Sequence, residues 1–136
     1  MKNITLAEVE HSAHTLAKEH LRFDEPIPDF GTRFPGVLES CLATPFQRLQ
    51  KRVVYQGLLG KASMLFYLMV KNHPFQNGNK RIAMTTLLVF LYKNDKWLKA
   101  DNQELYNFAI WVAFSPPSLK DEVVQGIEKF LKNHLQ

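Results

Sequence analysis

The stretch His73-Pro74-Phe75-Gln76-Asn77-Gly78-Asn79-Lys80-Arg81 sets an ionisable imidazole, two asparagines, a glycine and two adjacent cations within one short segment. A glycine turn that runs into a helix leaves backbone N–H groups unpaired and pointing outward, which is a ready seat for phosphate. Lys80 and Arg81 fall in the first helical turn, where a cation opposes the helix dipole and an anion removes that cost. Asn79 reads as the N-cap of that helix. A histidine at the mouth of such a seat can take the proton of an attacking hydroxyl. The other role open to His73 is to cap the carbonyl end of the preceding helix. Pro74 marks a stop there, and Phe75 reads as an apolar anchor. The chemistry these residues suggest is phosphate chemistry on a nucleotide-like anion, with His73 as the base.

The elements that hold this segment are helical. Apolar positions recur at helical spacing from about Tyr55 to Lys71 on more than one face, as expected of a central, buried helix. A second apolar helix runs from about Asn79 to Asn94. Thr5-Leu6-Ala7-Glu8 is a capping box that opens a helix to about His20, and Asp101-Asn102-Gln103-Glu104 opens another to about Phe114. Pro116-Pro117 ends that one, and Ser118-Leu119-Lys120-Asp121 starts the last. Residues 36–43 form a short helix stopped near Pro45. The basic stretch from Thr44 to Arg52 is a loop or a small hairpin. The expectation is a single all-α domain over residues 1–136 with about six helices and a short flap.

A chain of 136 residues fits one domain with a core of its own. The net charge of +4 agrees with an anionic ligand. Arg48, Lys51 and Arg52 come without a helix-turn-helix, a zinc finger or a stacking platform, so the sequence does not point to nucleic acid. The lone cysteine, Cys41, excludes an internal disulfide, and its leucine neighbours suggest a buried thiol. The longest apolar run, around Leu87 to Tyr92, is too short to span a bilayer. Without a secretory h-region at Met1–Glu8, a reducing cytoplasmic setting is expected.

His11 and His14, three apart beside Glu10, have metal-ligand spacing but no further cluster. They read as a solvated helix face. Trp97, Phe108, Trp111 and Phe114 read as core.

The segment His73–Arg81 resembles the signature of the Fic/Doc family, His-Pro-Phe-x-(Asp/Asn)-Gly-Asn-(Gly/Lys)-Arg. Gly36-Val37-Leu38-Glu39-Ser40-Cys41-Leu42-Ala43-Thr44-Pro45 resembles the Doc-like (death-on-curing) branch, which tends to read Gly-Leu-Leu-Glu-Ser-Ala-Leu-Ala-x-Pro. The resemblance covers roughly residues 30–95. It implies a small helical bundle that moves part of a nucleoside triphosphate, ATP or another, onto a hydroxyl of a target protein. By position His73 resembles the general base. Asn77 falls where the family usually has an Asp that helps bind Mg²⁺. Gly78 and Asn79 resemble the phosphate nest, and Lys80 and Arg81 resemble the phosphate-neutralising cations. Thr44, Pro45, Phe46, Gln47 and Arg48, with the stretch to Gln50, fall where the family has a flap that docks the target by strand-like pairing.

This sequence departs from the pattern at informative places. Fic adenylyltransferases usually have Gly at the position of Lys80 and a second Arg at that of Met84. Lys80 without that Arg resembles Doc, whose family role is phosphorylation. Asn77 offers a neutral amide, a poorer Mg²⁺ ligand than a carboxylate. Spacings reminiscent of the family's inhibitory helix, Thr15 to Glu19 and Ser118 to Glu122, fail at His20 and Val123. The resemblance thus implies a Doc-like protein phosphotransferase, the toxin of a toxin–antitoxin pair. Its implied partners are a separate antitoxin chain and a protein substrate, for which a translation factor is the family's candidate. AMP transfer and a non-catalytic nucleotide-binding module are the alternatives.

Overall fold

The structure, a computed structural model, describes residues 1–20, 26–49, 52–53 and 57–136. The first helical rod starts at the expected capping box. The Thr5 hydroxyl accepts from the Glu8 N–H at 3.2 Å, and the Glu8 carboxylate accepts from the Thr5 N–H at 2.9 Å. The rod comprises α1 (Leu6–Glu8), a π segment (Val9–Ala13) and α2 (His14–Glu19). The π segment is not visible in the periodicity. It widens one turn and thereby shifts the apolar face, so Val9, Ala13, His14 and Ala17 are all buried. This corrects the reading of His11 and His14 as one solvated face. His11 is exposed and lies 3.6 Å from Glu10, while His14 turns inward.

A 3-10 turn (Phe30–Thr32) leads to α3 (Val37–Ala43), whose N-cap Gly36 has φ +84°. A second 3-10 turn (Thr44–Phe46) leads into the flap, whose described residues form two paired strands. Strands β1 (Arg48–Leu49) and β2 (Arg52–Val53) pair antiparallel with Arg48 opposite Val53 and Leu49 opposite Arg52. The expected start of the central helix at Tyr55 lies outside the described residues. From Gly57 the helix is continuous as α4 (Gly57–Lys71), and every residue from Ala62 to Val70 is buried. A helix that is apolar all round must sit in the middle, and α4 packs most heavily on α5 (Asn79–Lys93) and α7 (Lys120–His134).

The second expected capping box opens α6 (Asn102–Phe114), with Asp101 accepting from the Glu104 N–H at 2.8 Å. Taking α1, the π segment and α2 as one rod, six helical rods are described, and the all-α class is as expected. Near-parallel rings of Phe66, Phe108 and Phe130 join α4, α6 and α7, with centroids 4.9 and 3.9 Å apart. The C-terminus closes on the α5–α6 connection through a Leu98–Leu135 bridge. Three aromatics expected in the core are exposed instead: Trp97 is 48% accessible, Trp111 47% and Phe114 80%. Trp111 lies on the outer face of α6 and lays its ring over Gly126, where an added Cβ would come within 2.5 Å.

Candidate functional site

The loop between α4 and α5 begins with an uncommon backbone. His73 has φ +50°, the left-handed region in which helices usually end on glycine or asparagine. Asn72 still bonds back to Leu68, at 2.9 Å, so His73 is where the chain leaves the helical path. The side chain of His73 emerges exposed. Pro74 is buried, and its carbonyl accepts from the Phe34 N–H at 2.9 Å, which ties the loop to the segment before α3.

Phe75 is the expected anchor. It is 1% accessible and packs against Phe30 and His14, with ring centroids 5.8 and 6.0 Å away. The His14 Nε2 lies 2.8 Å from the Pro28 carbonyl oxygen, so the N–H is on that nitrogen and donates. Sequence reasoning missed this support layer of His14, Phe30 and the Pro26–Ile27 segment. No motif marks these residues, and only their apolar neighbours hinted at it.

Gly78 is required twice over. Its φ is +72°, and a Cβ there would lie 2.7 Å from Ile27 Cδ1 and 2.9 Å from the Pro26 carbonyl oxygen. Gly78, not Asn79, is the N-cap of α5, which corrects the expectation. Asn79 is the first helical residue and is only 6% accessible. Its Oδ1 accepts from the Phe75 N–H at 2.9 Å, and its Nδ2 donates to the Phe75 carbonyl at 2.8 Å. The same Nδ2 lies 3.5 Å from His73 Nδ1. Gly78, Asn79, Lys80 and Arg81 thus stand at the start of α5, where the first N–H groups have no intrahelical acceptor. Asn77 and Gln76 are exposed at the loop tip.

The two cations differ. Lys80 is partly buried in the first turn. Arg81 reaches from that turn to the end of the first rod, where its Nη2 donates to the Ala17 carbonyl. The negative end of α2 therefore offsets the unfavourable position of Arg81 at the positive end of α5. Burial lowers the guanidinium pKa from its ordinary value. The helix-dipole cost that suggested an anion thus bears on Lys80 more than on Arg81.

The flap residues divide into a base and an edge. The Thr44 hydroxyl donates to the Ser40 carbonyl at 2.8 Å, Pro45 is buried, and the Phe46 ring meets Phe90 edge-on at 5.6 Å. These three anchor the base of the strand pair. Gln47 is exposed, and from Arg48 the backbone is a strand. Cys41 is fully buried, and burial pushes its thiol up to about 11, as expected of an inert cysteine. Met84 is likewise fully buried, so its position faces the core.

At its tip the loop offers Mg²⁺ the amide oxygens of Gln76 and Asn77, and it has no carboxylate. Among the described residues no cluster of three or more His, Cys, Asp or Glu could hold a metal. That donor set fits an ion that keeps waters and is carried by substrate phosphates rather than a cation caged by protein alone.

The loop thus sets a histidine at a helix exit just before a glycine-capped helix start that carries two cations, on a helical scaffold. Residues 3–91 match the model of the Fic/DOC family, and the chain belongs to that family. Over 66 residues it is 33% identical to the protein described as Toxin Doc from Mycolicibacterium smegmatis (strain ATCC 700084 / mc(2)155), a match covering 48% of this chain and 51% of that protein. The chain thus spans about half the length of the curated relative it matches. No helix among the described residues is long and apolar enough to cross a membrane.

Proposed function

We propose that this protein is a Doc-like phosphotransferase that moves the γ-phosphate of ATP or another nucleoside triphosphate onto a Ser, Thr or Tyr hydroxyl of a protein. The observation that carries the reading is the start of α5. Lys80 occupies its first turn, while Met84, where an adenylyltransferase would place a second arginine, is fully buried. A nucleotide pose for AMP transfer that leans on that arginine lacks its partner here.

In the reaction the target oxygen attacks the γ-phosphorus in line. The bond to the β–γ bridging oxygen breaks, and a nucleoside diphosphate leaves. His73 accepts the hydroxyl proton. The N–H groups at the start of α5, Lys80 and Arg81 hold the phosphates, so catalysis is mostly positioning and charge neutralisation. A Mg²⁺ ion entering with the nucleotide would neutralise phosphate charge, and Asn77 would be the loop residue to hold it. The edge of β1 docks the target as an added strand.

The relative described as a toxin supports a place in a toxin–antitoxin pair. An antitoxin needs an exposed apolar seat. A cleft of about 580 Å³ between α2, α5 and the start of α6, lined by Leu16, Leu88, Val89, Tyr92 and Trp97 among others, offers one.

Incubation of the protein with cell lysate and either γ- or α-labelled ATP tests the reading. Label transfer from γ-ATP supports it. Transfer only from α-ATP replaces it with AMP transfer. The neutral Asn77 favours a second reading, a nucleotide-binding module without turnover. That reading requires binding without transfer from either label, and Asn77→Asp then leaves transfer absent.

A further inference from the structure

We propose that Asn79 is a positioning residue rather than a phosphate ligand: its amide grips the Phe75 peptide from both sides and keeps Nδ1 of His73 as the proton-accepting nitrogen. The proposal rests on the phosphotransferase reading for its kinetic consequences but not for its structural ones.

The two bonds to Phe75, 2.9 Å to the N–H and 2.8 Å to the carbonyl, fix which end of the amide is which. A flipped amide would set NH₂ against N–H and oxygen against oxygen. The group that faces His73 Nδ1 is therefore the NH₂, a donor. A donor beside Nδ1 favours the tautomer with the proton on Nε2 and the lone pair on Nδ1. At 3.5 Å the contact is too long to be a strong bond. It selects the nitrogen without occupying it, and a target hydroxyl displaces it readily.

The same amide is committed by its burial. At 6% accessibility, with its oxygen and one N–H already bonded to Phe75, Asn79 has little left for a phosphate. Its grip also spans the interval that matters. Phe75 is locked into the core, His73 lies two residues before it in a left-handed backbone, and Asn79 is the first residue of α5. This side chain is the direct tie between the segment that carries the base and the start of α5. When the hydroxyl proton arrives, His73 becomes an imidazolium with N–H on both nitrogens. The Asn79 NH₂ then opposes the new N–H on Nδ1, which favours its release.

The test reads the His73 ring directly in the nucleotide-free protein by ¹⁵N NMR, with His73→Ala assigning the signal among the five histidines. The wild type is expected to carry its proton on Nε2. Asn79→Asp keeps the acceptor for the Phe75 N–H but sets a carboxylate beside Nδ1. The proton should then move to Nδ1. An unchanged tautomer would overturn the proposal, whether or not the protein transfers phosphate. With an active protein, Asn79→Ala should lower kcat by about tenfold or more with the nucleotide KM within about twofold, and should add nothing on top of His73→Ala. A raised KM with kcat held would make Asn79 a phosphate ligand instead. Retained helical circular dichroism in both variants separates these outcomes from unfolding.

Discussion

The loop between α4 and α5 and the flap are held in opposite ways. The loop at residues 73–81 is tied at almost every step: Pro74 to Phe34, Phe75 between His14 and Phe30, Gly78 beneath Ile27, Asn79 to Phe75 and Arg81 to Ala17. The flap is tied at its base, through Pro45 and Phe46, and then continues as strands of two residues each. Proton and phosphoryl transfer need atoms held to a fraction of an ångström, which packed helices supply. Pairing with the backbone of a target needs a strand edge, which a short pair of strands can supply. On the proposed function, the fixed region serves the chemistry and the strand edge serves recognition.

The largest effect should come from cutting the chemistry without loosening the loop. His73→Gly should abolish phosphate transfer, a loss of about 10²-fold or more. It should also raise stability by about 1 kcal/mol, because glycine adopts φ +50° without strain. Thermal melting beside a labelled-nucleotide assay checks both, and a lower melting temperature would mean that the imidazole holds the loop together. Next, Phe75→Ala should destabilise the fold by about 3–5 kcal/mol, as expected of an aromatic side chain removed from a packed interior. Urea unfolding measures it, and a cost near zero would mean that the loop does not depend on its anchor.

Gly78→Ala should cost about 1–3 kcal/mol through its positive φ and its contact with Ile27 and Pro26. Trimming the neighbour with Ile27→Ala should recover little, since the backbone strain and the Pro26 carbonyl remain. The flap predicts the mildest change. Arg48→Pro removes one backbone donor from β1. It should raise KM for the protein target by about three- to tenfold while leaving the nucleotide KM and the melting temperature nearly unmoved. An equal loss in both KM values would erase the division between the two regions.

How much of this was legible in the sequence follows from the same contrast. The capping boxes at Thr5–Glu8 and Asp101–Glu104, the central apolar helix and the loop between two helices are local signals, and each stands where the pattern put it. The residues that support the loop were not legible, because a side chain far along the chain carries no mark of what it will touch. His14 looked solvated beside His11, and only the π segment explains why one is buried and the other is not. Trp97 and Trp111 looked like core by residue type, yet each keeps one face in solvent. At Asn79 the motif was legible but its geometry was not. Cap and first helical residue differ by one position, and that one position turns the amide inward onto Phe75.

The central claim is that the start of α5 directs transfer of the terminal phosphate. Intact-mass analysis of a target protein modified in the presence of ATP tests it most directly. The account predicts an added phosphate that is absent with His73→Ala, and an added AMP in its place would contradict it.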